Sequence, residues 1–327
     1  MNIDDTLKGK DFITTQDWSV DELERIFELA AELKQAKKEG KPTPLLAAKT
    51  LYMIFFDAST RTRNSFETGM TQLGGHGIFL SPDKMQISHG ENARDTANVL
   101  SRYGDGIAIR HCAFREGNAY LNEVAREASI PVLSMQDDVY HPCQILADYL
   151  TIREKFGNTK GLKIGVAWTS APNYVRPLSV PQSLILMMPR FGMDVTLAVP
   201  PEFRLMPEIE EQAAANAAEA GGHFEISSNF EDAFTDADVV VPKSWGPLMH
   251  TTDHDEGLAL IEKYPSWRCG QEHMDLGKDH LIYMHPLPAD RGREVTDEVI
   301  DGPQSVVYDE AENRLHVQKA LMALTMG

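Results

Sequence analysis

Short apolar runs alternate along this chain with segments whose apolar positions recur at helical spacing. Leu23, Ile26, Ala30 and Leu33 fall on one helical face. Just before them, Ser19-Val-Asp-Glu22 has the reciprocal pattern that opens a helix: the Ser19 hydroxyl for the Glu22 N–H, and the Glu22 carboxylate for the Ser19 N–H. Leu51–Phe56 is an apolar run of strand length. A helix from about Arg61 to Leu73 is stopped by Gly74-Gly75, and a strand follows near Gly77–Leu80. Beyond a polar loop at 81–90 the pattern predicts a helix carrying Ala93, Ala97 and Leu100, a strand Ile107–Arg110, a helix Leu121–Ala128, a strand Val132–Met135 and a long helix from about Pro142 to Phe156.

The turn-rich stretch Gly157-Asn-Thr-Lys-Gly161 breaks the text, which then restarts with strand Leu162–Trp168. Strands Val195–Val199, Phe224–Ile226, Val239–Val241 and Leu281–Met284 follow with helices between them, and a last helix covers about Glu312–Met326. Strands joined by helical crossovers imply an α/β fold with mostly parallel sheets flanked by helices. A chain of 327 residues exceeds what one core of about 250–300 residues accommodates, so two domains are expected. The boundaries predicted are 1–150, 151–310 and a C-terminal helix, 311–327, packing back toward the first domain. Ligands of such folds bind at the carboxyl ends of strands.

Charge narrows the partners. Lys plus Arg is 31 against 49 Asp plus Glu, a net charge of −18, which argues against nucleic acid and anionic membranes. A small anion in a locally positive pocket remains compatible. Three widely spaced cysteines, Cys112, Cys143 and Cys269, suit a reducing compartment. The first residues have no apolar signal core, and no apolar run reaches the ~18 residues of a membrane helix, so a cytoplasmic protein is expected. Cys269 and His273 with His280 or His285 match no zinc spacing, and neither G-x-x-x-x-G-K-[ST] nor G-x-G-x-x-G occurs. Neither metal nor cofactor is expected.

One loop carries readable chemistry. Ser59-Thr60-Arg61-Thr62-Arg63 lies between a predicted strand and a predicted helix. A helix start leaves N–H groups unpaired at the positive end of its dipole. Three hydroxyls and two guanidiniums added there make a cradle for phosphate or carboxylate. A plain N-cap with two solvated arginines is the bland alternative, and the interleaving of both residue types after a buried strand disfavours it. Arg110 closes a strand, where a surface charge is as good an account as a ligand contact. His141-Pro-Cys-Gln144 stands at a helix mouth and could meet a bound carbonyl, although a lone histidine is usually structural. His285-Pro-Leu-Pro288 reads as a rigid turn or as a source of carbonyl oxygens for an NH2 group. Arg314 begins the last predicted helix, and by itself reads as a surface residue.

Taken in order, Ser-Thr-Arg-Thr-Arg (59–63), Arg110, His-Pro-Cys-Gln (141–144), His-Pro-Leu-Pro (285–288) and Glu-Ala-Glu-Asn-Arg (310–314) resemble the aspartate/ornithine carbamoyltransferase superfamily over essentially the whole chain. Pro172–Pro181, Lys243-Ser-Trp-Gly246 and Asp309–Ala320 look like the knotted branch, which holds the N-acetylornithine and N-succinylornithine enzymes and a group without an assigned acceptor. The loop at 81–97 is similar to that last group. Ordinary ornithine enzymes have Ser-Met-Gly in place of Lys243-Ser-Trp-Gly246 and Cys-Leu-Pro in place of 286–288, which puts simple ornithine activity in doubt.

The resemblance implies carbamoyl transfer from carbamoyl phosphate to a small amino-acid-like amine, or the reverse, and a knot in the second domain. It implies phosphate contacts from Ser59, Thr60, Arg61, Thr62 and Arg110, with Gln86 lent by a neighbouring subunit of a homotrimer. Thr62, Arg110 and His141 would meet the carbonyl oxygen as the catalytic residues; Gln144 and the backbone of Leu287 would meet the NH2 group, with Arg314 holding the same ligand. Lys243 and Trp245 would face the acceptor, and Arg63 would serve structure more than ligand. Other readings stay open: ordinary ornithine transfer, a phosphosugar or nucleotide transferase using the same loop, and a non-catalytic anion-binding homologue.

Overall fold

The computed structural model describes residues 5–172 and 176–327 and divides into two compact units, Met1–Ala147 with Ala311–Gly327, and Asp148–Glu310. The first unit starts with helix α1, Val20–Lys38, opened by the Ser19–Glu22 capping box with both of its hydrogen bonds formed. Then come β1 (Thr50–Phe55), α2 (Thr60–Gln72), β2 (His76–Leu80), α3 (Ala93–Leu100), β3 (Gly106–His111), α4 (Gly117–Glu127), β4 (Val132–Asp137) and α5 (Pro142–Phe156), whose residues from 148 onward count with the second unit. The strands form one parallel sheet in the order β2-β1-β3-β4, pairing Met53 with Phe79 on one side and with Ala108 on the other. Apolar side chains of β1, β3, α3 and α4, among them Ile54, Ala97, Ile107, Ile109, Leu121 and Val124, make a core on one face.

In the second unit the elements are β5 (Lys163–Trp168), α6 (Ser179–Met187), β6 (Asp194–Ala198), α7 (Pro207–Ala220), β7 (Phe224–Ser227), β8 (Val239–Lys243), α8 (His254–Ile261), α9 (Gln271–Met274), β9 (Ile282–Tyr283), α10 (Asp297–Ile300) and α11 (Val307–Met326), whose residues from 311 onward count with the first unit. Its sheet is parallel throughout, in the order β7-β6-β5-β8-β9. The expected α/β class, with mostly parallel sheets flanked by helices, is the fold observed. The proline-rich crossing loop expected at 172–181 includes residues 173–175, which lie outside the described residues. Among the described residues no helix is long and apolar enough to cross a membrane.

Two elements differ from expectation in ways that matter below. Strand β8 runs through Pro242 to Lys243 instead of ending at Val241. Asp238, just before it, and Val240 face β9, their carbonyls accepting the Ile282 and Met284 N–H groups, so residue 242 faces that side too. Because β9 ends at Tyr283, the missing proline N–H costs no ladder bond there. Helix α11 begins at Val307, not near Glu312. The Val306 N–H is held by Tyr283 O at 3.0 Å, and Asp309 and Glu310 then occupy a first turn whose dipole favours acids. Arg314 therefore lies well inside the helix rather than at its start.

Candidate functional site

Helix α2 starts where β1 has just ended at the carboxyl edge of the sheet. Ser59 is its N-cap, in extended conformation, and its hydroxyl accepts the Thr62 N–H at 3.2 Å. Thr60 is exposed, Arg61 half-buried and Thr62 buried. Arg63 turns away from this group: its Nε donates to Glu67 at 2.9 Å, and its guanidinium lies 3.7 Å from the Phe79 ring centre. An open cavity of about 430 Å³ borders the loop, lined by Phe55, Asp57, Ser59, Thr60, Arg63 and Phe79 among others.

Three further segments of the first unit converge here. Arg314 of α11 donates from Nη2 to the Thr62 hydroxyl at 2.6 Å. Helix α11 packs over Gly69 of α2, where a Cβ would stand 2.8 Å from Met322 Cε and the methionine tip would have to shift. Arg110, the last residue but one of β3, follows a slip in register against β4, and its guanidinium donates to the Gln136 side chain. His141 leads into α5 and is only 4% exposed. Burial, reinforced by the Arg314, Arg110 and Arg61 guanidiniums, holds its imidazole well below the ordinary range. At neutral pH the ring is uncharged, with one N–H to donate. Gln144, fully buried, follows one turn later and donates its backbone N–H to His141 O at 3.1 Å.

Sequence reasoning missed what orders the His141 loop. The buried Asp137 carboxylate accepts the N–H groups of Val139 at 2.8 Å and Tyr140 at 2.6 Å; burial pushes its pKa up to about 7 against the pull of those donors. Asp138 takes the Arg115 and Asn118 N–H groups, both at 2.7 Å, at the head of α4. Nothing in Gln-Asp-Asp-Val-Tyr separates these carboxylates from ordinary turn residues. Gln86 stands exposed in the loop after β2, its side chain 3.3 Å from the His89 ring.

The second unit has its own polar cluster. Lys243, at the end of β8, is buried, with Nζ 3.0 Å from Glu294 Oε1 and bonded to Ser244 O and Oγ at 3.2 and 3.3 Å. Glu294 is fully buried and also accepts from Ser244 N at 2.7 Å, Ser244 Oγ at 2.6 Å and Asp290 N at 2.7 Å. Arg176 and His285 approach the same carboxylate at 3.4 and 3.3 Å. Burial alone would raise the Glu294 carboxyl, but Lys243, His285 and Arg176 drive it well below the carboxylate range. Burial lowers the Lys243 ammonium, with Glu294 opposing. No sequence signal marks Glu294 among the chain's many acids. Trp245 is buried, and its indole N–H is given to Phe203 O at 2.7 Å, which leaves it only packing to offer an acceptor. Leu287, at φ 51°, donates its N–H to His285 Nδ1 at 2.9 Å.

Known proteins resemble this chain along most of its length. The family model for the carbamoyl-phosphate-binding domain of aspartate/ornithine carbamoyltransferases matches residues 10–154, and that for the Asp/Orn-binding domain matches 176–325. Ornithine carbamoyltransferase of Halalkalibacterium halodurans is 43% identical over 98% of this chain and 97% of its own length. That of Thermococcus kodakarensis is 42% identical over 98% of both chains. Among solved structures, ornithine carbamoyltransferase from Pyrococcus furiosus superposes with a TM-score of 0.89 at 40% identity, covering 98% of each chain. Acetylornithine transcarbamylase complexed with acetylcitrulline gives 0.90 at 35% identity, covering 97% of this chain and 99% of that one.

Proposed function

Since this chain belongs to the aspartate/ornithine carbamoyltransferase family and is a carbamoyltransferase, we propose that it joins carbamoyl phosphate to the amine of an ornithine-like diamino acid, free or N-acylated, or runs that transfer backwards. The carrying observation is the Arg314–Thr62 contact at 2.6 Å beside a buried neutral His141 that three guanidiniums surround. Ser59, Thr60, Arg61 and Thr62 take the phosphate, helped by Arg110. Thr62, Arg110 and His141 donate to the carbonyl oxygen, and Gln144 receives the NH2 group. Arg314 fixes Thr62 and shares the ligand's charge.

The chemistry follows from that placement. A neutral acceptor amine adds to the carbonyl carbon, and negative charge builds on its oxygen. Fixed donors stabilise that charge, a single one being worth roughly 2.7–4 kcal/mol. The C–O bond to phosphate then breaks, and the departing phosphate carries off the amine proton, so no side-chain base is needed. A neutral His141 suits the donor's part, because it adds a hydrogen bond without a further charge beside three arginines.

Lys243 is the proposed partner of the acceptor's carboxylate, held in position by Glu294. Lys243→Ala is expected to raise the acceptor KM at least tenfold while the KM for carbamoyl phosphate stays put; equal changes in both would remove Lys243 from that role. A homotrimer lending Gln86 between subunits, a knot in the second domain and a cytoplasmic setting complete the proposal, and a monomer in sedimentation would end the role of Gln86. Ordinary ornithine transfer is the second reading, favoured by relatives of that name at 43% and 42% identity. Phosphate release from carbamoyl phosphate with ornithine, N-acetylornithine, N-succinylornithine and 2,3-diaminopropionate decides between them. Release with ornithine alone selects the second reading, and release with none of a wide amine panel defeats both.

A further inference from the structure

The first unit holds another basic cavity, at the far end of α2 from Ser59. Its volume is about 320 Å³, and Lys37, Gly40, Lys41, Thr43, Gln72 and Lys319 line it. With a rise of about 1.5 Å per residue, Gln72 stands roughly 18 Å along the helix axis from Thr60, so the two places are separate.

Three lysines and no carboxylate line this cavity, in a chain where acids outnumber bases 49 to 31. Lys319 is 1% exposed. Its Nζ donates to Gln72 Oε1 at 2.9 Å, one bond for a group with three donors. Among the described residues neither Lys319 nor Lys37 forms an ion pair, whereas Lys41 has Glu39 at 2.5 Å. Burial, and then Lys37, lower the Lys319 ammonium to about 8, the mark of a cation short of countercharge. The carboxyl ends of α1 and α2 meet here and account for part of the attraction to cations, about half a charge each. Three ammoniums less Glu39 and those two half-charges still leave the cavity positive by about one charge.

We propose that this cavity binds a phosphate-bearing dianion, either free phosphate or a small phosphate monoester. The donor set favours a tetrahedral oxyanion over a carboxylate. Ammoniums act as compact point charges around a centre, while planar carboxylates are matched by the guanidinium fork, which is absent from this lining. Two neutral donors stand ready beside them: the Gln72 amide nitrogen, and the Thr43 hydroxyl, whose bond to Gln72 O is long at 3.4 Å. The inference does not depend on the catalytic assignment, since it uses none of those residues.

The test is microcalorimetry on the full chain carrying Arg61→Ala, which weakens phosphate binding at the α2 N-terminus. Inorganic phosphate and glycerol phosphate are titrated separately, with chloride at matched ionic strength as control. One saturable anion per chain is expected, with affinity falling at least tenfold on adding Lys37→Gln and further on adding Lys319→Gln. Lys37 is exposed, so its variant keeps the test decisive even where loss of the buried Lys319 harms folding. Tighter binding of the monoester identifies that source, and tighter binding of phosphate the other. No saturable heat, heat matched by chloride, or affinity indifferent to Lys37→Gln would each overturn the proposal.

Discussion

Arg61→Ala is expected to lower kcat/KM for carbamoyl phosphate by about a hundredfold to a thousandfold, with the chain still folded. The Arg61 guanidinium stands in the first turn of α2, close enough to the buried His141 ring to depress its pKa together with Arg314 and Arg110. Its removal takes away a permanent cation where the phosphate is proposed to sit. It also relieves part of the pressure on His141, so the imidazole becomes easier to protonate. The acid limb of the pH–rate profile should therefore move upward in pH in the variant. Stopped assays of phosphate release across pH, with circular dichroism to check the fold, measure both effects. Wild-type turnover from this variant would remove the proposed cradle.

The largest stability effect is expected at Glu294. Glu294→Ala leaves Lys243 buried without its carboxylate and strips Ser244 N and Asp290 N of their acceptor. Breaking a buried ion pair from one side costs about 3–5 kcal/mol, a large part of the stability of most domains. The urea midpoint should fall accordingly. The sign of the pH effect follows from the carboxyl's low folded pKa. Its contribution is present in full above the unfolded value of 4.5 and is lost as pH falls below that toward the folded value. Wild-type protein should thus weaken on acidification below about pH 4.5, and Glu294→Gln should lack that share of the slope. A variant as stable as wild type at pH 7, with the same acid slope, would show that this cluster holds nothing together. In acceptor kinetics Glu294→Gln should raise the acceptor KM, as Lys243→Ala does, because the lysine loses its anchor.

The sequence by itself determined what local forces decide. Strand β1 was legible because five consecutive apolar residues cannot stay in water, and α1 because a capping box satisfies two N–H groups within four residues. The cradle at 59–63 was legible for the same reason: its donors, cap and helix dipole all lie within one turn of chain. Helix α11 was misjudged at its start, since an acidic first turn and a hold on Tyr283 O are visible only once β9 stands beside it. Tertiary structure alone decided the rest. The Arg314 bond to Thr62 spans 252 positions and that of Ser244 to Glu294 spans 50. No periodicity or propensity extends over such distances, because whether a charge is buried, and beside which partner, depends on how packed helices and strands close around it. That is why Arg314, which reads as a surface residue in the sequence, stands against the buried Thr62, why Arg110 lies beside Gln136, and why Glu294, which no sequence signal marks, is buried under Lys243.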